Sequence, residues 1–417
     1  MPAPVALRAI RLSPFGEHTR YILAGYLRNV TMVAAVLLAI GLTIDLWPQV
    51  DLIDDDHGRG ALYAIWQVIR FSALRTPDLI APLLPFATFL GVLATEVAHT
   101  RAGERMLVWN SGRSPIKCLT PVILLGVILG AVEFPLDAYL GPAAMHVQMQ
   151  ERLGLDGQRL DRTRIEDSHW IASPGGLLDT QIEYGPPPTL HNLTFYKLDE
   201  RGQLTEIDKA AVARQLPGAD SWEMRDGRFW TSDGDPTNDG AASPAPTPGA
   251  AAGETMIPFA ERTVRLRVDP LWLSVYGMET QYLPLPILRA LARSDTGPLS
   301  KGLFRTRLQV LYGEAILPGA MALLAASLSL LLLPYRTPPR AVVGILFAGY
   351  LAHAGTKACL LMGQNGYMPP VIAGWLIPAA LLAGSLSILR IIERQRSGVP
   401  GRRKLEGPRV LGMVSAE

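Results

Sequence analysis

The stretch AILPGAMALLAASLSLLLLP, Ala315 to Pro334, contains no charged side chain. A bilayer core about 30 Å thick takes roughly 20 apolar residues as a helix, so this run predicts a membrane span. Working outward, five further runs fit the same rule with more interruptions: Val30–Trp47, Leu79–Ala98, Leu119–Leu140, Ala341–Met362 and Val371–Leu389. Six spans are therefore predicted. Hydrophobic residues make up 49% of the 417-residue chain and charged residues 18%. Soluble proteins carry about 25% charged residues, whereas a chain made only of spans would carry far fewer than this one. The blend predicts a membrane part joined to a sizeable water-exposed part.

Lys and Arg in the flanks give the orientation, since cytoplasmic loops are enriched in them. Arg8, Arg11, Arg20 and Arg28 precede the first span, and Arg101, Arg105, Arg113 and Lys117 lie between the second and third. Arg336 and Arg340 separate the fourth and fifth, and Arg390, Arg394, Arg396, Arg402, Arg403 and Lys404 follow the sixth. The alternate loops are acidic (PQVDLIDDDHGRG) or uncharged (GQNGYMPP). Both termini are expected in the cytoplasm. The start of the chain lacks an apolar h-region followed by a small-residue cleavage site, so no removable signal peptide is expected.

Between the third and fourth spans, LHNLTFYKL and ERTVRLRV alternate apolar and polar residues with period two, and turn signals DERGQ and RDGRF separate such runs. Short alternating strands predict an all-β sandwich or jelly roll, here on the periplasmic side. Residues 231–256, TSDGDPTNDGAASPAPTPGAAAGETM, lack core-forming side chains and read as a disordered insertion. The pieces YLPLPILRALARS and LFRTRLQVLYGEAIL then read as helices re-entering the membrane. The domain boundaries follow: 1–140 for the first transmembrane half, 141–282 for the β domain, 283–392 for re-entry and the second half, and 393–417 for a basic tail.

The chain has no P-loop, H-E-x-x-H, C-x-x-C or G-x-S-x-G motif and its seven histidines are scattered. Neither a catalytic site nor a directly bound cofactor is expected, and nothing points to nucleic acid. Cys118 and Cys359 fall near opposite faces of the predicted membrane part, too far apart for a disulfide, and read as packing residues.

Two features carry functional signals. The first is the segment TRAGERMLVWNSGRSPIK, Thr100 to Lys117. As a helix over 102–111 it places Ala102, Met106 and Trp109 on one face with Leu107 beside it, and Gly112 is placed to end it. Such a helix either lies in the headgroup layer or docks a cytoplasmic partner, with Met106, Leu107 and Trp109 filling a groove and Glu104 and Arg105 making polar contacts. The second is a set of ionisable residues within spans: Asp45, Glu133, Asp137, His353 and Lys357. Groups of this kind are costly in the bilayer and face protein or water. At 1.5 Å per residue Glu133 lies roughly 20 Å along the third span, and Asp45 and Lys357 reach a similar height. They either pair with one another, Lys357 with Glu133 or Asp45, or snorkel into the headgroups, or line a cavity for an anionic amphiphile.

The plan of three spans, a β domain and three spans resembles the LptF/LptG family of lipopolysaccharide-export permeases. LIAPLLPFATFLGVLATEVAHTRAGERMLVWNSGRSPIKCLTPV is similar to the family's second span, cytoplasmic helix and third span, with Glu104, Gly112 and Ser114 at matching positions. DERGQLTEIDKAAVARQLPGADSWEMRDG resembles its strand–turn signature through Gly202, Ala210 and Trp222, and GQNGYMPPVIAGWLIP its last loop and span. TIDLWPQVDLIDDD looks more like the LptG branch. Two departures stand out: QVLYGEAILP lacks the basic or His residue usual at the entry to span four, and the insertion lengthens the β domain. The resemblance implies a permease paired with a second one, on an LptB-type ATPase dimer, joined by an LptC-type bitopic protein. It also implies extraction of lipopolysaccharide from the inner membrane and its transfer to a periplasmic jelly-roll bridge. ATP would act only through the partner ATPase. Under it, Glu104, Arg105, Met106, Leu107, Trp109 and Gly112 form the coupling helix, and Asp45, Glu133, His353 and Lys357 are substrate-cavity candidates. Two rival readings remain from the residues alone: a secondary transporter working through the intramembrane charges, and a non-transporting anchor for the β domain.

Overall fold

The computed structural model describes residues 16–49, 60–106, 119–160, 167–173, 175–185, 187–216, 221–232, 256–294 and 301–397. Leu107, Trp109, Gly112, Cys118 and residues 233–255 of the insertion lie outside the described residues.

Helices α1 (Glu17–Leu46), α2 (Ala61–Arg101) and α3 (Thr120–Pro135) make the first helical part. A π-helical segment, Leu136–Leu140, carries α3 into α4 (Gly141–Gln150), and the short α5 (Gly154–Arg159) follows. After the sheet come α6 (Pro270–Ser274), a 3-10 turn at Thr280–Tyr282, α7 (Leu285–Arg293), α8 (Lys301–Glu314), α9 (Leu317–Leu332), α10 (Pro339–Gln364) and α11 (Pro370–Ser397). Among the described residues five helical stretches are long and apolar enough to cross a membrane. The pair α8–α9, bent by 48°, makes a sixth when counted as one broken span.

Two helices extend beyond their expected limits. α2 starts at Ala61 rather than Leu79, and its 41 residues span about 60 Å, twice the bilayer core. Residues 61–78 fall between the first two predicted spans, where Arg70, Arg75 and Asp78 break the apolar pattern. The structure pairs these charges, Arg70 with Glu151 at 2.5 Å and Arg75 with Asp45 and Asp156, so the helix projects with its polar groups satisfied. Residues 141–160, expected in the β domain, are helical apart from the turn at 151–153, and the sheet begins only at His169.

The helices interlock through a shared core of Tyr26 and Val30 (α1), Phe89 and Val92 (α2), Val122 and Leu125 (α3), Met321 and Ala325 (α9) and Ile345 (α10). Small residues allow a close crossing of α3 and α9. A Cβ on Gly126 of α3 would stand 2.5 Å from the Gly319 Cα of α9, so any larger side chain would force the two backbones apart.

Strands β1 (His169–Ser173), β2 (Gly176–Glu183), β3 (Thr189–Leu198), β4 (Leu204–Gln215), β5 (Trp222–Thr231) and β6 (Ile257–Val264) form one antiparallel sheet in chain order. The expected sandwich or jelly roll thus takes the form, among the described residues, of an up-and-down meander. Ile171, Leu178 and Phe195 stand opposite one another in register and are buried. Asn192 and Asp226 hold left-handed backbone conformations, φ 48° and 52°, inside β3 and β5. Burial slips by one residue at that level, from Leu190 to Leu193 on β3 and from Ala210 to Ala213 on β4. The chain after β6 covers this face with Leu266, Val268 and Leu273. Asp269 caps α6 by accepting from the Leu271 N–H at 2.8 Å.

Candidate functional site

The first site lies where α2 ends. The helix stops at Arg101, the chain turns through Ala102 and Gly103, and helical geometry resumes at Glu104. Gly103 adopts φ +71°, which an L side chain resists, so the expected unbroken helix over 102–111 is interrupted at its start. This turn sends Arg105 inward. Its Nη1 donates to the carbonyls of Ser329 (3.0 Å) and Leu333 (2.9 Å) at the C-terminal end of α9, and its Nη2 binds the Glu96 carboxylate. Tyr26 on α1 donates to the same carboxylate, and Thr100 donates to the Leu333 carbonyl at 3.2 Å. Arg105 is only 7% exposed. A helix C-terminus leaves carbonyls without intrahelical donors and carries partial negative charge, and a guanidinium satisfies both needs. Arg105, expected among the outward polar contacts, is therefore a bolt joining α1, α2 and α9. Glu104, held by His99, is half-buried, and Met106 is exposed.

The second site surrounds the break between α8 and α9. Arg307 on α8 binds Asp137 of the π-helical segment at 2.6 Å and Glu314 at 3.3 Å, and Lys357 of α10 lies 3.8 Å from Glu314. Glu133 is 2% exposed beside this network, and its Oε2 has no hydrogen-bond partner. The expected pairings are thus corrected: Lys357 pairs with Glu314, not with Glu133 or Asp45. A break in the helix and a π-helical turn in its neighbour meet at these charges, where irregular backbone is tolerated because protein surrounds it. His353, one turn from Lys357, packs its ring 5.4 Å from that of Phe86. Lys357 remains 39% exposed, the most accessible charge of the group.

Asp45 belongs to a third cluster. Arg75 on α2 grips it with two bonds of 2.9 and 3.1 Å and also meets Asp78 at 3.2 Å and Asp156 at 3.3 Å. Tyr282 donates to Asp78 at 3.3 Å. One guanidinium so joins α1, α2, α5 and the chain following the sheet. Burial raises the Tyr282 phenol, helped by the nearby Asp78.

On the sheet, Asp208 lies in register between Phe195 and Phe229 on the buried face. Arg262 bonds it at 2.6 Å and Glu206 at 2.5 Å, its guanidinium 4.2 Å from the centre of the Phe229 ring. Burial pushes the Asp208 carboxyl up to about 6 despite Arg262. Glu206 is held below the usual range by Lys197 and Arg262, which outweigh its own burial.

Arg75, Asp78, Asp156, Tyr282, Arg307 and Glu314 were not singled out from the sequence. Arg75 and Asp78 lie in the stretch between the first two predicted spans. Arg307 and Glu314 are seven residues apart on one helix face, and Arg307 supplies a cation just before QVLYGEAILP, where none was expected.

A family model described as lipopolysaccharide export system permease LptF/LptG matches residues 20–391. The match spans both helical parts and the sheet. No curated protein matches the chain significantly.

Proposed function

The chain belongs to the LptF/LptG family of lipopolysaccharide export permeases, and from that premise we propose that it is one permease subunit of an ATP-driven exporter in the bacterial inner membrane. It pairs with the second permease of the family, and an LptB-type ATPase dimer docks on segment 100–117. Both termini are cytoplasmic and the sheet is periplasmic, handing lipid to a jelly-roll bridge that includes an LptC-type protein. The chain binds no cofactor directly, and ATP acts through the partner.

One observation carries this reading. Arg105 ties the first turn of the docking segment to the carbonyl end of α9, to α2 and, through Glu96, to Tyr26 of α1. A push on the segment therefore reaches three packed helices through short, buried contacts. In this proposal Glu104, Met106, Leu107, Trp109 and Gly112 are the residues of the segment that serve the contact with the ATPase. Half-buried on α10 beside a bent helix, Lys357 is the substrate-cavity candidate best placed to meet an anionic lipid. Its pairing with Glu314 makes it structural in this state. Asp45 and Glu133 act through the internal networks, and His353 packs beside them.

Copurification from membranes tests the proposal. A stoichiometric ATPase is expected with the wild type, and less of it with Glu104→Ala or Trp109→Ala. Transport by the purified chain without any ATPase would favour a secondary transporter using the intramembrane charges. Unchanged assembly and export in both variants would favour a simple anchor for the sheet.

A further inference from the structure

A cavity of about 400 Å³ opens between the N-terminal end of α1 and the C-terminal end of α2. Its polar lining comes from Arg28 and Asn29 on one side and Thr95, His99 and Glu104 on the other, with the Tyr21 ring as an apolar wall. Counting roughly 20 residues back from Leu46 puts Arg28 at the bilayer boundary. Arg28 is exposed and makes no ion pair or side-chain hydrogen bond among the described residues. Across the cavity Glu104 bonds only His99 among the described residues, which leaves its carboxylate able to take a second donor. Asn29 spends its amide N–H on Thr95 at 2.8 Å, so its carbonyl oxygen is left as an acceptor. One helical turn and two turns beyond Arg28 on the same face come Met32 and Val36, 61% and 54% exposed.

We propose that this cavity is a binding site for the headgroup of a phosphoethanolamine lipid in the leaflet at the N-terminal end of α1. The lipid phosphate meets the Arg28 guanidinium and its ammonium meets Glu104, while an acyl chain lies along Met32 and Val36. A cation and an anion facing one another across a gap match a zwitterion better than a purely anionic group. Two unpaired like charges would instead have indicated a multivalent anion. An arginine that merely reaches for the interface would contact any phosphate and show no headgroup preference. Since Glu104 also begins the segment proposed to dock the ATPase, bound lipid would brace that segment against α1. The lipid site stands without that docking, because it needs only these two helix ends at a membrane boundary.

The test uses the full chain with its copurified partners in detergent, stripped of lipid, and native mass spectrometry with added dioleoyl phosphatidylethanolamine or dioleoyl phosphatidylglycerol. The wild type should bind the ethanolamine lipid about tenfold more tightly, the scale of one charge-assisted contact. Arg28→Ala should weaken that binding about tenfold, and Glu104→Gln should erase the preference between the two lipids. Arg20→Ala, which removes an exposed cation of α1 outside the cavity, should change neither. Soluble phosphoethanolamine should fail to displace the lipid at equal concentration, because it lacks the chain. Equal binding of the two lipids, or an equal loss with Arg20→Ala, would overturn the proposal. So would full displacement by the soluble headgroup. Loss of the ATPase from lipid-free Arg28→Ala, with lipid binding intact, would assign the cavity to the protein partner instead.

Discussion

Arg105→Ala is the most informative single change. It removes a guanidinium that binds the Glu96 carboxylate and donates to two carbonyls, Ser329 and Leu333, all within a region where Arg105 and Glu96 are 7% and 8% exposed. Breaking a buried charge pair by deleting one partner costs about 3–5 kcal/mol. The carbonyls add less than the about 1–3 kcal/mol of an orphaned acceptor, because the Leu333 N–H still donates to that of Ser329 at 2.9 Å. Tyr26 still donates to Glu96, and Thr100 still donates to Leu333, so part of the loss is made good. A net local destabilisation of about 3 kcal/mol follows, which raises the population of the opened junction about 100-fold. Hydrogen exchange by mass spectrometry should show that acceleration in the peptide covering Thr100 to Met106 and in the one covering Ser329 to Leu333. The strands β1–β6 should keep their protection. Arg105→Lys should recover part of the loss, because one ammonium cannot span the carboxylate and both carbonyls. Exchange in Arg105→Ala indistinguishable from the wild type at both peptides would refute the bolt.

Three other outcomes follow from the same contacts. Lys357→Glu should destabilise the protein by adding a fourth acid beside Glu133, Asp137 and Glu314, and Glu314→Lys in the same chain should restore it; a stable, export-deficient single variant with no rescue would make Lys357 a lipid contact. The Asp208 carboxyl sits near 6 in the fold against an ordinary 3.8, so the folded state holds this proton longer and stability falls as pH rises between those values, by up to about 3 kcal/mol. Glu206, held low, instead loses its contribution as pH falls below its ordinary 4.5. Asp208→Asn should therefore flatten the pH 4–6 dependence of β4–β6 exchange protection, and an unchanged slope would remove Asp208 as its source. Deleting residues 233–254 should leave stability and export nearly unchanged, since a long loop adds little closure entropy, and loss of export in a stably made deletion would show that the segment binds something.

The apolar runs were legible because a span must be nearly free of charge for about 20 residues, and each expected run lies largely inside a helix of the structure. The strands of the sheet were legible from their alternation, which LHNLTFYKL keeps from Leu193 to Phe195 and loses at Asn192. Helix continuation beyond the bilayer was not. Within residues 61–78 only Asp78 answers Arg75 locally; the other partners of Arg70 and Arg75, Glu151, Asp45 and Asp156, lie far away in sequence. The same reason hid the true partner of Lys357. Equal depth in the membrane suggested Glu133 and Asp45, but the bend after Glu314 decides which carboxylate reaches it. Arg105 was expected among outward contacts and is buried instead, because helical periodicity across Gly103 assumes a turn that its positive φ interrupts.

The central claim, that ATP hydrolysis by a partner drives lipid out of the membrane through this chain, is tested most directly by reconstitution. Proteoliposomes holding lipopolysaccharide and the chain with its copurified partners should release lipid to a soluble acceptor only when ATP is supplied. Release should fall with Glu104→Ala and with Arg105→Ala while both assemblies remain folded. Lipid release that proceeds equally without ATP, or ATP hydrolysis with no release from an intact assembly, would contradict the account.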